Sequence, residues 1–150
     1  MNNKTNLNYR LINQQIVGTK FKTPKEIISC MGAIQAQDYN MAKWAIGVRL
    51  PGSTDKTVEE AFNKGEVLRT HLLRPTWHFV SPNDIHWMLK LTAPNIRASL
   101  RSRHQQLELA ESVLSKCNKI IEKALDGTQL NRDELVRRFE RAKISTDENR

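Results

Sequence analysis

At 150 residues the chain is long enough to bury a genuine core and fits one domain, or one small domain plus part of a second. Its two cysteines, Cys30 and Cys117, lie far apart with neither a CxxC pair nor clustered histidines, so a zinc site, any other metal or cofactor site and a disulfide framework are not expected. No segment nears the roughly 18 apolar residues of a membrane span, a reducing cytoplasm is the expected compartment, and the net charge of +8 favours an anionic partner such as nucleic acid or an acidic membrane surface.

A first helix is expected near residues 8–18. The capping box Thr23-Pro24-Lys25-Glu26 opens a second at 24–35, because hydroxyl and carboxylate satisfy each other's free backbone donors while Pro24 fills the first helical position. Ile27, Met31 and Ile34 give this helix an apolar stripe. A third helix is expected near 40–48, with Trp44 and Val48 on its apolar side, and a fourth at 58–64 from the box Thr57-Val58-Glu59-Glu60. Val67 to Val80 carries β-formers and aromatics and reads as a hairpin interrupted at Arg74-Pro75.

Ser81-Pro82-Asn83-Asp84, with Val80 and Ile85 at staple spacing, begins a fifth helix at 82–92. A sixth should run from about Pro94 to Leu107 and a seventh from about 109 to Leu125, stopped by Asp126-Gly127. The eighth opens at the box Asn131-Arg132-Asp133-Glu134, with Leu130 and Leu135 as its staple, and runs to about Ala142.

Short helices followed by a hairpin describe a winged helix, so the expected fold is mainly α with a small β-hairpin, a winged helix followed by further helices. Residues 1–92 would form that unit, 93–127 connecting helices, and 128–150 the start of a second winged-helix unit.

Gln35-Ala36-Gln37-Asp38 falls where the second helix should end. Amides two residues apart diverge on a helix and share a side only in extended chain, so Gln35 and Gln37 act together only where the helix unwinds. Arg97, Arg101 and His104 follow i, i+4, i+7 spacing and form a basic stripe with Arg103 beside it, which serves equally as a nucleic-acid contact or a solvated helix face. His78, between Trp77 and Phe79, points opposite to both in a strand, and a partly buried, hydrogen-bonded role competes with contact to phosphate or substrate. His71 and His86 have no distinguishing context. Trp44, Trp77 and Trp87 could stack on an unstacked base, but each falls on an apolar face, and core packing should claim most of them.

Ile34-Gln35-Ala36-Gln37-Asp38, Leu68-Arg69-Thr70 through Arg74-Pro75-Thr76-Trp77-His78-Phe79-Val80, and Leu130-Asn131-Arg132-Asp133-Glu134-Leu135 together resemble the tandem winged-helix DNA-binding family that includes bacterial DNA glycosylases unhooking interstrand crosslinks. The resemblance implies a monofunctional glycosylase acting on alkylated or crosslinked purines in double-stranded DNA. Relatives carry a Gln-x-Gln or Gln-x-Asp motif, which falls on Gln35 and Gln37 as catalytic residues, with Asp38 and His78 as secondary candidates. Arg69, Arg74, Arg97, Arg101, Arg103 and His104 become the expected DNA contacts, and the location cytoplasmic and nucleoid-associated. The hairpin of relatives usually reads Arg-Gly-Thr where this chain has Arg74-Pro75-Thr76. Relatives run to more than twice this span, so the chain is expected to be an N-terminal fragment, inactive or weakly active alone.

The chemistry is compatible with two amides. A purine alkylated at N7 already carries positive charge and departs neutral, so no strong acid is needed. A glutamine oxygen accepts from water while its NH₂ donates elsewhere, which orients a nucleophile without abstracting its proton. A winged-helix DNA-binding or regulatory module without chemistry remains an alternative, as does a module that docks its basic surface on an acidic protein.

Overall fold

The computed structural model describes residues 3–73 and 76–146. The elements are α1 (Asn3–Asn13), α2 (Pro24–Met31), β1 (Ala33–Gln35), α3 (Tyr39–Gly47), α4 (Asp55–Asn63), β2 (Leu68–Leu72), β3 (Thr76–Val80), α5 (Ile85–Gln106), α6 (Glu111–Leu125) and α7 (Arg132–Arg141). They fall into two compact units that meet between Ile96 and Arg97, inside α5.

In the first unit α2 to β3 follow one another in the order of a winged helix. The capping box of Thr23 and Glu26 forms as expected, with Pro24 at the start of α2. The helix does not reach residue 35. Gly32 takes φ 74° and ψ −64°, close to a strained γ-turn open to glycine, and the chain leaves α2 there. Ala33, Ile34 and Gln35 become a strand because β3 offers them a ladder: Ala33 pairs with Val80, Ile34 with Phe79 and Gln35 with His78. The hairpin anticipated from residue 67 is therefore two thirds of a three-stranded antiparallel sheet ordered β1-β3-β2. Arg74 and Pro75 lie outside the described residues.

Both faces of this sheet are covered, and the two-residue period of β3 sends neighbours to opposite cores. Phe79 packs with Ile28, Ala36, Ala42, Ile46, Val58 and Val67, joined by Tyr39 and Phe62. Val80 packs with Leu72 and Met88, joined by Ala33, Leu68 and Ile85. Each fully buried side chain of this size contributes about 1.5–3 kcal/mol, so β3 is the element that both cores hold in place.

Several boundaries differ from the expected ones for local reasons. α1 starts earlier and ends at Asn13, where Gln15 adopts φ 57° and the Ile16 N–H returns to the Leu11 carbonyl. α4 is capped by Thr54 rather than Thr57; Thr57 supplies the reciprocal bond in place of a carboxylate. Residues 82–84 form a turn and α5 starts only at Ile85: the Ser81 Oγ accepts from the Asn83 N–H within that turn, and Asp84, expected to complete a capping box, accepts from Trp87 Nε1 at 2.9 Å. The fifth and sixth helices are one, α5, which continues through Pro94. Trp44 and Trp87 are 64% and 53% exposed, so core packing does not claim them.

The second unit holds the end of α5, then α6 and α7. α6 stops at Leu125 before Gly127 at φ 66°, and α7 opens with the expected reciprocal bonds between Asn131 and Glu134. Lys116 Nζ on α6 donates to the Ala142 carbonyl at 2.7 Å, tying α6 to the end of α7. Among the described residues no helix is long and apolar enough to cross a membrane.

Candidate active site

Gln35 and Gln37 flank Ala36, which is fully buried in the Phe79 core, while both glutamines are exposed. Gln35 is the last residue of β1 and Gln37 stands in the bend that follows it, so the alanine anchors the segment while the amides stay in solvent. Gln35 lies opposite His78, which in turn lies opposite Thr70, so these three form a row across one face of the sheet. Among the described residues the Gln35 carboxamide makes no hydrogen bond.

The Gln37 carboxamide is engaged. Ala36 N–H donates to the Trp77 carbonyl at 2.7 Å, which makes Ala36 and Trp77 a hydrogen-bonded position of the antiparallel pair. The reverse bond is replaced. Trp77 N–H donates to Gln37 Oε1 at 3.3 Å, and the Ala36 carbonyl accepts from Arg69 Nε at 3.1 Å and Nη2 at 3.0 Å. The same Nη2 reaches the Gln37 carbonyl at 3.3 Å. The guanidinium carbon lies 4.6 Å from the Trp77 ring centroid and 5.5 Å from that of Tyr39. Arg69, expected as a DNA contact, thus spends several donors on the backbone between the two glutamines. Sequence reasoning missed this role; its only signal was an arginine on a strand among aromatic neighbours.

The secondary candidates have structural tasks. Asp38 is the N-cap of α3, its Oδ1 accepting the Met41 N–H at 3.0 Å. His78 is 7% exposed, with Nδ1 2.9 Å from the Thr76 carbonyl oxygen, and points away from Trp77 and Phe79 as the strand period requires. His71 stacks on Trp77 with ring centroids 3.8 Å apart.

The helix that follows the motif carries part of an ion cluster that the sequence did not reveal. Lys43, buried on α3, contacts Asp55 Oδ1 at 2.8 Å and Glu59 Oε2 at 3.0 Å, both from α4. Tyr39 O–H donates to the same Glu59 oxygen at 3.0 Å. Hydrogen bonds from Lys43 and then Tyr39 hold the Glu59 carboxyl below its ordinary range, and those to Asp55 and Glu59 hold the Lys43 ammonium well above its own. Burial first, then Glu59, pushes the Tyr39 phenol up. The cluster pins α3 to α4 directly after the Gln motif.

In the second unit Arg97, Arg101 and His104 line a cavity of about 770 Å³, shared with Glu108 and Glu111. Arg103 lies off this cavity and donates to Gln106 Oε1 at 3.4 Å. The stripe is thus real as a helix face, but its surroundings are of mixed sign. Among the described residues no cluster of His, Cys, Asp and Glu could hold a metal ion.

The chain matches the family described as DNA glycosylase AlkZ-like over residues 28–150. A comparison with curated proteins found no match. Among solved structures it is similar to the Streptomyces sahachiroi DNA glycosylase AlkZ, with a TM-score of 0.76 at 20% sequence identity, over 89% of this chain and 38% of that one. At that identity the likeness establishes a shared fold, and the present chain spans well under half of the AlkZ length. The family match covers the Gln motif, the whole sheet, the first unit from residue 28 onward and all of the second, and on it the chain belongs to the AlkZ-like DNA glycosylase family.

Proposed function

We propose that this chain carries the hydrolytic amides of a monofunctional DNA glycosylase that cleaves the N-glycosidic bond of alkylated or crosslinked purines in double-stranded DNA. The observation that carries the reading is the segment Gln35-Ala36-Gln37, where the edge strand β1 ends at Gln35 and the chain bends at Gln37, its alanine buried and both glutamines exposed. The Gln35 oxygen is free to accept from a water, while Gln37, its oxygen turned to Trp77, offers its NH₂. Together they orient water against the sugar as the cationic base departs, without a proton base.

DNA would approach the sheet rather than α4. In a winged helix the second helix of the helix-turn-helix usually enters the groove, yet α4 carries Asp55, Glu59 and Glu60 against Lys56. Arg97, Arg101, Arg103 and His104 would supply phosphate contacts, and Arg74, outside the described residues, is a further candidate. The activity would operate in the cytoplasm on the nucleoid.

The test is single-turnover excision of N7-methylguanine from duplex DNA with protein in excess, for the chain and its Gln35→Ala and Gln37→Ala variants. Both variants should lose about a hundredfold in rate, the scale of lost substrate or water positioning. Equal, measurable rates in all three would remove the amides from the chemistry. A non-catalytic binding module is the second reading, and the bond from Trp77 to Gln37 favours it by giving one glutamine a structural task. It predicts salt-sensitive DNA binding with no excision.

A further inference from the structure

The exchange of partners around Ala36 points to a role for Arg69 beyond charge. In a regular ladder the Trp77 N–H would return to the Ala36 carbonyl, because Ala36 already donates to Trp77 across the same pair. Arg69 occupies that carbonyl with two donors, at 3.1 and 3.0 Å, and the displaced Trp77 N–H takes Gln37 Oε1. A carboxamide whose oxygen is held this way has its NH₂ turned outward, and its two ends are no longer interchangeable.

We propose that Arg69 is a positioning residue: by taking the Ala36 carbonyl it obliges Gln37 to complete the strand pairing, and this fixes which end of the Gln37 carboxamide faces the substrate. The inference rests on the catalytic reading of Gln35 and Gln37 for its consequence, but not for its geometry. Arg69 is well suited to the task. It is half-buried, its planar fork spans the carbonyls of Ala36 and Gln37, and it lies beside the Tyr39 and Trp77 rings. A lysine would offer a single point charge without the fork.

Two measurements test this on the full chain. In the first, the backbone amide resonance of Trp77 is followed by NMR in four proteins: the parent, Gln37→Ala, Arg69→Met and the double variant. Gln37→Ala should move the Trp77 amide in the parent background, and should leave it nearly unmoved once Arg69→Met has returned the Ala36 carbonyl to the ladder. An equal displacement in both backgrounds overturns the proposal. Should Arg69→Met fail to fold, Arg69→Leu serves in the same comparison, since it too has no donor for the Ala36 carbonyl.

The second measurement separates rate from binding. Arg69→Met should slow single-turnover excision by up to about a hundredfold, as for a misplaced reacting group, at an unchanged half-saturating DNA concentration, and Arg69→Lys should recover part of the rate. Weakened binding with a salt slope reduced by about one, at an unchanged saturated rate, would make Arg69 a phosphate contact and overturn the proposal. If equal, measurable excision by the parent, Gln35→Ala and Gln37→Ala removes the amides from the chemistry, or the parent excises nothing, the resonance comparison still decides the role of Arg69.

Discussion

Replacing Phe79 by alanine should strongly destabilise the platform on which the glutamines sit. Phe79 is 1% exposed at the centre of β3, opposite Ile34 of β1 and Arg69 of β2. Its ring meets Tyr39 edge-on at 5.7 Å and Phe62 at 6.2 Å. Truncation of a buried phenylalanine to alanine costs about 3–5 kcal/mol, against a total of roughly 5–15 kcal/mol for a domain. The unit should lose about 12 °C or more in melting temperature at the usual sensitivity of domains this size. Phe79→Leu keeps most of the apolar volume and forfeits the two ring contacts, so about 1–3 kcal/mol should be lost. The assay is urea unfolding followed by tryptophan fluorescence, since Trp44, Trp77 and Trp87 all lie in the first unit. The midpoint should fall at unchanged m, because the surface exposed on unfolding is nearly the same. A loss under about 1 kcal/mol for Phe79→Ala would refute the view that the core around Phe79 holds this strand in place.

Two further expectations concern the frame of the site. Glu59 is held below its ordinary carboxyl value of 4.5, chiefly by the Lys43 hydrogen bond. Its contribution is therefore present above that value and lost as the pH falls through the lower, folded one; Glu59→Gln should shallow the acid limb of a stability profile measured between pH 6 and 2, and an unchanged limb would count against the cluster. Gly32→Ala places a side chain at φ 74°, where the nearest atom, Met88 Cε, is 3.7 Å away and does not obstruct it. Backbone strain alone should then cost about 1–3 kcal/mol in urea unfolding, and a neutral result would mean that the turn from α2 into β1 relaxes freely.

Local chemistry wrote most of the helical plan into the sequence. Thr23 with Glu26 and Asn131 with Glu134 satisfy backbone donors within one turn, so their capping boxes were legible without any tertiary partner. The same holds for Gly127 after α6 and for the hairpin of aromatic and β-branched residues from Val67 onward. Where several residues compete for one local task, the reading slipped: Thr54 outdid Thr57 as a cap, and Ser81 made a turn instead of one.

Gln35 and Gln37 could be picked out as a pair, together with the condition that they work only in extended chain. Whether the chain is extended there was settled by β3, more than forty residues away, which supplies the ladder that Ala33-Ile34-Gln35 completes. The bonds from Arg69 to Ala36 and from Trp77 to Gln37, and the burial of Lys43 between Asp55 and Glu59, belong to the same class. Helix caps depend on neighbours within one turn and so are visible in a short stretch of residues. Strand pairing and buried charge depend on groups that only the folded chain brings together, and no local pattern records them.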